Sequence, residues 1–156
     1  MLFTGHSEHT IDSKLRLAIP AKHRNSLTPE RDGQAWFCVP WPGGVLRLYT
    51  ERMFEELADE APGGQSLMPG EEEADLESRF FGFAERLEMD AQGRVAIPKL
   101  HLELAGLTST DVVIVGARNR LEVRDRTAWQ AGRMEMFAKL PSLVARIEAK
   151  RKPAAG

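Results

Sequence analysis

Two short stretches of the sequence carry the same pattern: an aspartate, an arginine four residues later and a closing proline. The first is DSKLRLAIP, residues 12–20, and the second is DAQGRVAIP, residues 90–98, which begins 78 residues later and shares five of nine residues. An aspartate at the start of a turn accepts hydrogen bonds from backbone N–H groups two residues on. Each stretch therefore predicts a hairpin turn that combines a carboxylate with a guanidinium group, which is the chemistry of ion pairs, of acid–base catalysis or of anion recognition.

The residue types decide between these chemistries. Asp12 and Asp90 could form the carboxylate dyad of an enzyme, but each has an arginine four residues on, so no catalytic residue is predicted. For Arg16 and Arg94, an ion pair with the aspartate of the same hairpin is the simplest alternative to ligand binding. The two roles can coexist in one side chain.

The histidines and the cysteine do not form a recognisable metal or nucleophile motif. His6 and His9 lie three apart on a predicted strand and should face opposite sides of it. His23 and His101 have no second ligand nearby in sequence, so core or surface positions are favoured and neither a metal nor a cofactor is predicted. The single cysteine, Cys38, cannot form an internal disulfide and is predicted to pack as a small apolar side chain.

The two turns differ at their tips. Gly93 can adopt a positive φ at no steric cost, whereas Leu15 occupies the same place in the first stretch and cannot do so as easily. The first turn is therefore expected to have a different geometry. Lys14 is basic and the corresponding Gln92 is not, so the second turn offers one charge fewer.

The segments around the two stretches also match in order. Each stretch is followed by a short helical run, a strand-like run (AWFCV or DVVIV), a turn, an alternating strand (VLRLY or RLEVR) and a helix with Thr50 or Asp125 as its N-cap. Such agreement indicates a duplication. One copy is too small to bury a core, so the two copies are expected to pair about a pseudo-twofold axis and to complete a small barrel of class α+β with short flanking helices.

Charge and composition predict a cytoplasmic globular chain. Apolar residues make up 42% of it, no apolar run is long enough to span a membrane, and the N-terminus has no signal-peptide pattern. The net charge is −2, but residues 51–77 hold ten of the 23 acidic residues and one basic residue. The remainder is basic, with 20 Lys and Arg against 13 Asp and Glu. The charges of Lys22, Arg24 and Lys99 are expected to lie on a solvated face.

Four regions are predicted. They are a first module with its closing helix over 1–61, an acidic linker containing Pro and Gly over 62–78, a second module over 79–140 and a basic tail over 141–156. Pro141 is expected to end the second closing helix. The tail is predicted to be a frayed helix, and its charges could bind phosphate nonspecifically: Arg146, Lys150, Arg151 and Lys152.

The doubled D-x-x-x-R pattern, each copy followed by a small apolar strand and Pro and preceded by Gly5 or Gly82, resembles the MraZ family. The likeness spans roughly residues 1–140 and includes LFTG, RFFGFAERLEMDAQGR and LEVRDRTAW. MraZ proteins are bacterial transcriptional regulators with two SpoVT-AbrB-type modules in one chain. The resemblance implies a swapped-hairpin β-barrel, a ring-shaped homo-oligomer and binding to repeated DNA boxes in the promoter of a cell-division and cell-wall gene cluster.

The resemblance also implies roles for single residues. Contact with double-stranded promoter DNA falls on the side chains that follow each aspartate: Lys14, Arg16, Gln92 and Arg94. Shaping the turns falls on Asp12, Asp90 and Gly93. Arginine can pair bidentately with a guanine edge and lysine can neutralise a phosphate, so the residue types suit this role. The implied protein is a nucleoid-associated repressor with no membrane partner and no small-molecule substrate.

Two alternatives remain open on the sequence alone. A ring-forming assembly protein of the same fold could have lost DNA binding, since Leu15 and Gln92 depart from the pattern, and exposed Trp36 or Trp41 could then serve a protein interface. A dimeric antitoxin of the same fold class would use a single copy and a toxin-binding tail, which the internal duplication argues against.

Overall fold

The computed structural model describes residues 1–151 and repeats one order of elements. The first round is β1 (His6–Thr10), β2 (Arg16–Ala18), α1 (Ala21–Arg24), α2 (Pro29–Asp32), β3 (Ala35–Trp41), β4 (Val45–Thr50) and α3 (Glu51–Asp59). Then come α4 (Glu71–Phe83) and the second round: β5 (Glu85–Glu88), β6 (Arg94–Ala96), α5 (Lys99–Ala105), β7 (Asp111–Gly116), β8 (Leu121–Asp125) and α6 (Arg126–Ala138). Helix α7 (Leu140–Arg151) follows. The predicted order is confirmed, with α2 as an unforeseen addition to the first round.

The predicted N-caps are confirmed. The Thr50 hydroxyl accepts the Met53 N–H at the start of α3 (3.2 Å), and Asp125 Oδ2 accepts the Ala128 N–H at the start of α6 (2.8 Å). Each bond satisfies a backbone donor that has no partner inside the helix.

The predicted end of the second closing helix and the predicted helix of the tail are both present. Helix α6 ends before Pro141, but Pro141 then lies in the first turn of α7, where its missing N–H breaks no helical hydrogen bond. The chain therefore continues as a helix to Arg151, as predicted for the tail, and the fraying of this helix stays a prediction. Lys152 and the rest of the predicted tail lie outside the described residues.

Strand pairing interleaves the two rounds. Strand β1 of the first round pairs antiparallel with β7 of the second, and β5 of the second pairs with β3 of the first. The short strands β2 and β6 pair with each other, with Leu17 opposite Val95. Each round therefore completes the sheet of the other, which agrees with the expected pseudo-twofold pairing of the copies.

The strands form two sheets. Six strands make an antiparallel sheet in the order β1-β7-β8-β4-β3-β5, and β2 and β6 make a separate ribbon. Within the described residues the large sheet is open, because β1 and β5 remain its edges and the three-residue strands β2 and β6 bond to each other instead. The α+β class is confirmed, whereas a hydrogen-bonded closed barrel is not observed.

The main core lies between the ribbon and the large sheet. Leu17 and Val95 of the ribbon are fully buried in one apolar cluster with Trp36 and Cys38 of β3. Trp36 is only 1% exposed, so its predicted availability for an interface was wrong; it points inward because alternate residues of β3 face the core. Burial raises the pKa of the Cys38 thiol to about 12, which agrees with its predicted packing role.

A second cluster holds α3 and α4 on the large sheet. Phe37 stacks on Phe54 of α3 at 4.3 Å between ring centroids, and Phe80 stacks on the same ring at 6.1 Å. Helix α4 begins at Glu71 as predicted, but it continues through Gly82 and crosses residue 78. The division of the chain into modules and linker stays a prediction.

Candidate nucleic-acid interface

The first turn, residues 12–16, is organised by one carboxylate. Asp12 Oδ1 accepts the backbone N–H of Lys14 (2.9 Å) and of Arg16 (2.8 Å), and Asp12 Oδ2 accepts the Arg16 Nε–H (2.7 Å). The backbone N–H of Arg16 is the main cause that holds the pKa of Asp12 below its ordinary value. The ionised carboxylate therefore fixes both the backbone of the turn and the first part of the arginine side chain.

The second turn, residues 90–94, repeats this geometry. Asp90 Oδ1 accepts the N–H of Gln92 (2.9 Å) and of Arg94 (3.0 Å), and Asp90 Oδ2 accepts the Arg94 Nε–H (2.8 Å). The backbone N–H of Arg94 is again the main cause that lowers the pKa of the aspartate. The pairing of each arginine with its own aspartate, the alternative left open by the sequence, is thus present in both turns.

The tips of the two turns share one backbone conformation. Leu15 has φ +61° and Gly93 has φ +77°, so both residues are left-handed, and the expected difference between the turns is wrong. The hydrogen bonds to Asp12 and Asp90 are the same in both turns and impose the same path. Leucine accepts this conformation at a cost, because its Cβ crowds the backbone there.

The ribbon of β2 and β6 brings both arginines to one face. Arg16 pairs with Ala96 and Arg94 pairs with Ala18, and all four side chains lie opposite the buried Leu17 and Val95. Standard strand geometry places the two arginine Cα atoms about 8 Å apart. Since the alanines are exposed and short, a ligand can approach the ribbon closely between the guanidinium groups.

The arginines keep part of their hydrogen-bonding capacity. Within residues 1–151, Arg16 donates only through its backbone N–H and Nε, both to Asp12, which leaves its two Nη groups for a ligand. Arg94 uses one more donor, because its Nη2 bonds Gln92 Oε1. Gln92 thus positions the arginine rather than adding charge, while Lys14 extends into solvent beside the first turn.

One cation at this site was not singled out by the sequence. Arg24, at the end of α1, was assigned to a solvated face but is half-buried, and its Nε donates to the Ile19 carbonyl at 2.8 Å. It lies against the tip of the second turn, since a Cβ added to Gly93 would come within 2.5 Å of Arg24 Nε. The second copy places Leu102 at this position, so the repeat gave no sign of a charge there. Lys22 and Lys99 are exposed, as predicted.

None of the four histidines lies on the ribbon strands β2 and β6. His6 and His9 alternate between the two sides of β1, as predicted. His23 and His101 are 4% and 3% exposed, and burial is the main cause that lowers the pKa of each. In the part of the chain that the structure describes, no group of three His, Cys, Asp or Glu residues is placed to hold a metal ion, and no helix is long and apolar enough to cross a membrane.

Much of the basic charge outside the turns is paired. Glu122 on β8 is 6% exposed and forms ion pairs with Arg120 and Arg124 at 3.0 and 2.8 Å. Burial favours its neutral form, but the two arginines outweigh that effect and lower its pKa. These arginines are therefore tied to a buried carboxylate of the sheet, whereas Arg16 and Arg94 pair with the partly exposed carboxylates of Asp12 and Asp90.

The fold and the site together define a class: a duplicated, interleaved α+β protein that presents two Asp–Arg turns side by side. The family model described as "MraZ protein, putative antitoxin-like" matches residues 80–143. Three relatives, each named Transcriptional regulator MraZ, are similar along most of their length. They come from Chlorobium luteolum (31% identical over 85% of this chain and 86% of the relative), Hydrogenovibrio crunogenus (32%, 88% of each) and Coxiella burnetii (28%, 88% of each). The chain belongs to the MraZ family.

Proposed function

We propose that the protein is a sequence-specific DNA-binding transcriptional regulator that represses its own cell-division and cell-wall gene cluster from repeated promoter boxes. One observation carries the proposal: Arg16 and Arg94 lie on the same face of a two-stranded ribbon, with short alanines between them. The names of the relatives support the general role. No catalytic step, cofactor or small-molecule substrate is proposed, and the site of action is the nucleoid in the cytoplasm.

The ribbon suits the major groove in size and chemistry. The groove of B-DNA is about 12 Å wide and admits a two-stranded β-ribbon. An arginine whose Nη groups are unbonded can pair with the O6 and N7 atoms of a guanine, and each such pair contributes about 1–3 kcal/mol of discrimination. Arg16 meets this condition fully, so we assign it base reading. Lys14, exposed at the tip of the first turn, is assigned a phosphate.

The aspartates have a supporting role in this proposal. Asp12 and Asp90 each fix the Nε of their arginine, so less side-chain entropy is lost when DNA binds. Gln92 holds Arg94 from the other side and thus contributes to the site without a charge. Gly93 has no Cβ, so the Arg24 side chain can pack directly on the backbone of the second turn.

The proposed assembly is a ring of identical subunits that engages several boxes at once. Its support is an exposed apolar stripe along α6 and α7, formed by Met134, Met136, Phe137, Leu140, Leu143, Val144 and Ile147. An apolar groove lined by Trp41, Leu76, Phe83 and Leu104 lies elsewhere on the subunit, beside the acidic helix α4. Contact between two different surfaces of neighbouring subunits closes into a ring when the rotation allows it. Repetition raises the effective concentration of each turn at its box.

The proposed ancestry of the fold is two SpoVT-AbrB-like modules, residues 1–61 and 79–140, with exchanged hairpins. The interleaved pairing of β1 with β7 and of β5 with β3 supports it. Residues 62–78 then act as the connection that lets one module pack against the other, and residues 141–156 form the basic end of the chain.

A mobility-shift experiment with the DNA upstream of its own gene tests the function. A salt series with a shuffled competitor should give a specific complex that weakens steeply as salt rises, because bound cations release counterions from phosphates. The double variant Arg16→Ala/Arg94→Ala should lose the specific complex, while light scattering finds the same oligomer mass. Arg52→Ala, an exposed arginine on α3 that lines neither apolar surface, serves as the control.

A complex that shuffled DNA displaces equally well would contradict sequence-specific regulation. If the unmutated protein ignored DNA at low salt but kept its oligomer mass, the assembly-protein alternative would replace the regulator. The Trp41 groove would then be the first surface to study, since Trp41 is 41% exposed.

A further inference from the structure

We infer that Arg24, a residue of the first copy, completes the second turn as its phosphate-binding cation. The inference rests on the proposed function, since its ligand is a backbone phosphate of double-stranded DNA. It addresses a difference between the turns: Lys14 accompanies Arg16 in the first turn, whereas the uncharged Gln92 occupies the corresponding position beside Arg94.

Arg24 is held at the second turn by two contacts. Its Nε donates to the Ile19 carbonyl at 2.8 Å, and the Ile19 N–H in turn donates to the Gly93 carbonyl at 2.9 Å. A Cβ on Gly93 would lie 2.7 Å from Arg24 Cζ, so the guanidinium group rests directly on the backbone of the turn. Ile19 thus links the strand after the first turn, the tip of the second turn and the arginine.

The remaining donors of Arg24 are available to a ligand. Within the described residues its only side-chain hydrogen bond is the one from Nε, so both Nη groups are unbonded. The side chain is half-buried and, like Asp90, lines a cavity next to the second turn. A guanidinium group in this setting can form two parallel bonds to a phosphate.

Comparison of the two copies shows that packing alone does not require an arginine at residue 24. Ile97 donates its N–H to the Leu15 carbonyl at 2.8 Å, as Ile19 does to Gly93, so the two tips are equivalent in the backbone. At the position of Arg24 the second copy has Leu102, and both Leu102 and Leu15 pack partly buried against the main core. The position that holds the cation Arg24 beside the second tip is therefore occupied by an apolar side chain, Leu102, in the other copy. Packing alone needs no charge at Arg24, since leucine fills the equivalent position.

The resulting site has two cations at each turn. Lys14 and Arg16 serve the first turn from one copy, while Arg94 and Arg24 serve the second turn from both copies. The exchange of hairpins makes this possible, because it brings α1 of the first copy to the second turn. Each turn then offers one arginine for base edges and one further cation for the phosphate backbone.

The test compares Arg24→Leu, Arg24→Lys, Arg24→Leu/Gln92→Lys and Arg52→Leu with the unmutated protein, on the upstream DNA and on a shuffled duplex. Loss of one phosphate contact reduces the slope of log affinity against log salt by about 0.9 for each bound subunit, which is a five- to tenfold loss near 0.1 M salt. Arg24→Leu should show this on both duplexes, since a phosphate contact carries no sequence information. Arg24→Lys, the Gln92→Lys double variant and Arg52→Leu should keep the original slope.

Thermal unfolding of each variant separates binding from folding. Arg24→Leu should unfold close to the unmutated protein, because it copies the arrangement at Leu102. An unchanged salt slope for Arg24→Leu would overturn the inference, whether or not the unfolding temperature falls. If Arg16→Ala and Arg94→Ala abolished specific binding while Arg24→Leu did not change it, only this inference would fail. If the unmutated protein formed no salt-dependent complex, the proposed function and this inference would fail together.

Discussion

The two turns have the same backbone conformation but differ in the side chains that pack against their tips. Leu15 and Gly93 both have positive φ, and both turns are closed by three hydrogen bonds to the side chain of an aspartate. The carboxylate, not glycine, therefore specifies the shape of this hairpin. The type of residue at the tip instead matches the side chains that surround it. Leu15 joins the apolar core, and Gly93 makes room for Arg24.

Substitution of Gly93 by leucine should have the largest effect on stability among the changes at the two tips. Although the first turn accepts leucine, Gly93→Leu should lower the free energy of unfolding by about 2–4 kcal/mol. About 1–2 kcal/mol comes from the left-handed backbone, and the remainder from displacing the Arg24 side chain. Urea unfolding measures the change.

The contribution of Arg24 can be isolated with a double variant. In Arg24→Ala/Gly93→Leu the steric part of the loss should disappear and the backbone part should remain. A Gly93→Leu protein as stable as the original would show that the second turn tolerates the same tip as the first. That result would contradict a steric conflict between the Arg24 side chain and any side chain at residue 93.

The reverse substitution should have a smaller effect. Leu15→Gly relieves the left-handed strain but gives up partly buried apolar contact and adds freedom to the unfolded chain. These contributions oppose each other, so the free energy of unfolding should change by no more than about 1 kcal/mol. A urea-unfolding loss much larger than this would mean that packing of Leu15, rather than its backbone strain, dominates the first turn.

The two copies also share a buried histidine, His23 in the first and His101 in the second, which should make stability depend weakly on pH. His23 and His101 have pKa values below the ordinary value, mainly because they are buried, so the unfolded chain binds more protons than the folded one below about pH 6.5. Their contribution to stability is fully present above about pH 6.5 and is lost as pH falls toward the folded pKa values. The urea midpoint should therefore be lower at about pH 5.5 than at about pH 7.5.

The two histidines differ in their charged neighbours. Glu85 opposes the lowering of the pKa of His101, whereas Lys22 and His9 add to the lowering at His23. Glu85→Gln should therefore steepen the loss of stability on acidification, and Glu88→Gln on the same strand is the matched control. Equal slopes for the two variants would argue that Glu85 has no influence on His101.

Local signals in the sequence predicted much of the fold. The strands, the N-caps Thr50 and Asp125, the start of α4 at Glu71 and the alternation along β1 follow from short-range patterns, and the structure has them. The predictions were wrong where packing between distant parts of the chain decided the position of a residue. Trp36 is buried by the sheet rather than exposed for an interface. Gly82, expected to mirror Gly5, lies inside α4, whereas Gly5 has φ +77°.

For the candidate site, residue type and spacing predicted the positions of the two turns and offered the pairing of each aspartate with its arginine as one alternative, and the structure has that pairing in both turns. These depend on hydrogen bonds between residues at most four apart, which residue type and spacing can indicate. Only the tertiary structure decided that Arg16 and Arg94 share a face and that Arg24 reaches the tip of the other copy at Gly93. Those relations depend on the register between β2 and β6, two strands far apart in the chain. Strand register across such a distance is set by packing of the whole core, which no short stretch of sequence specifies.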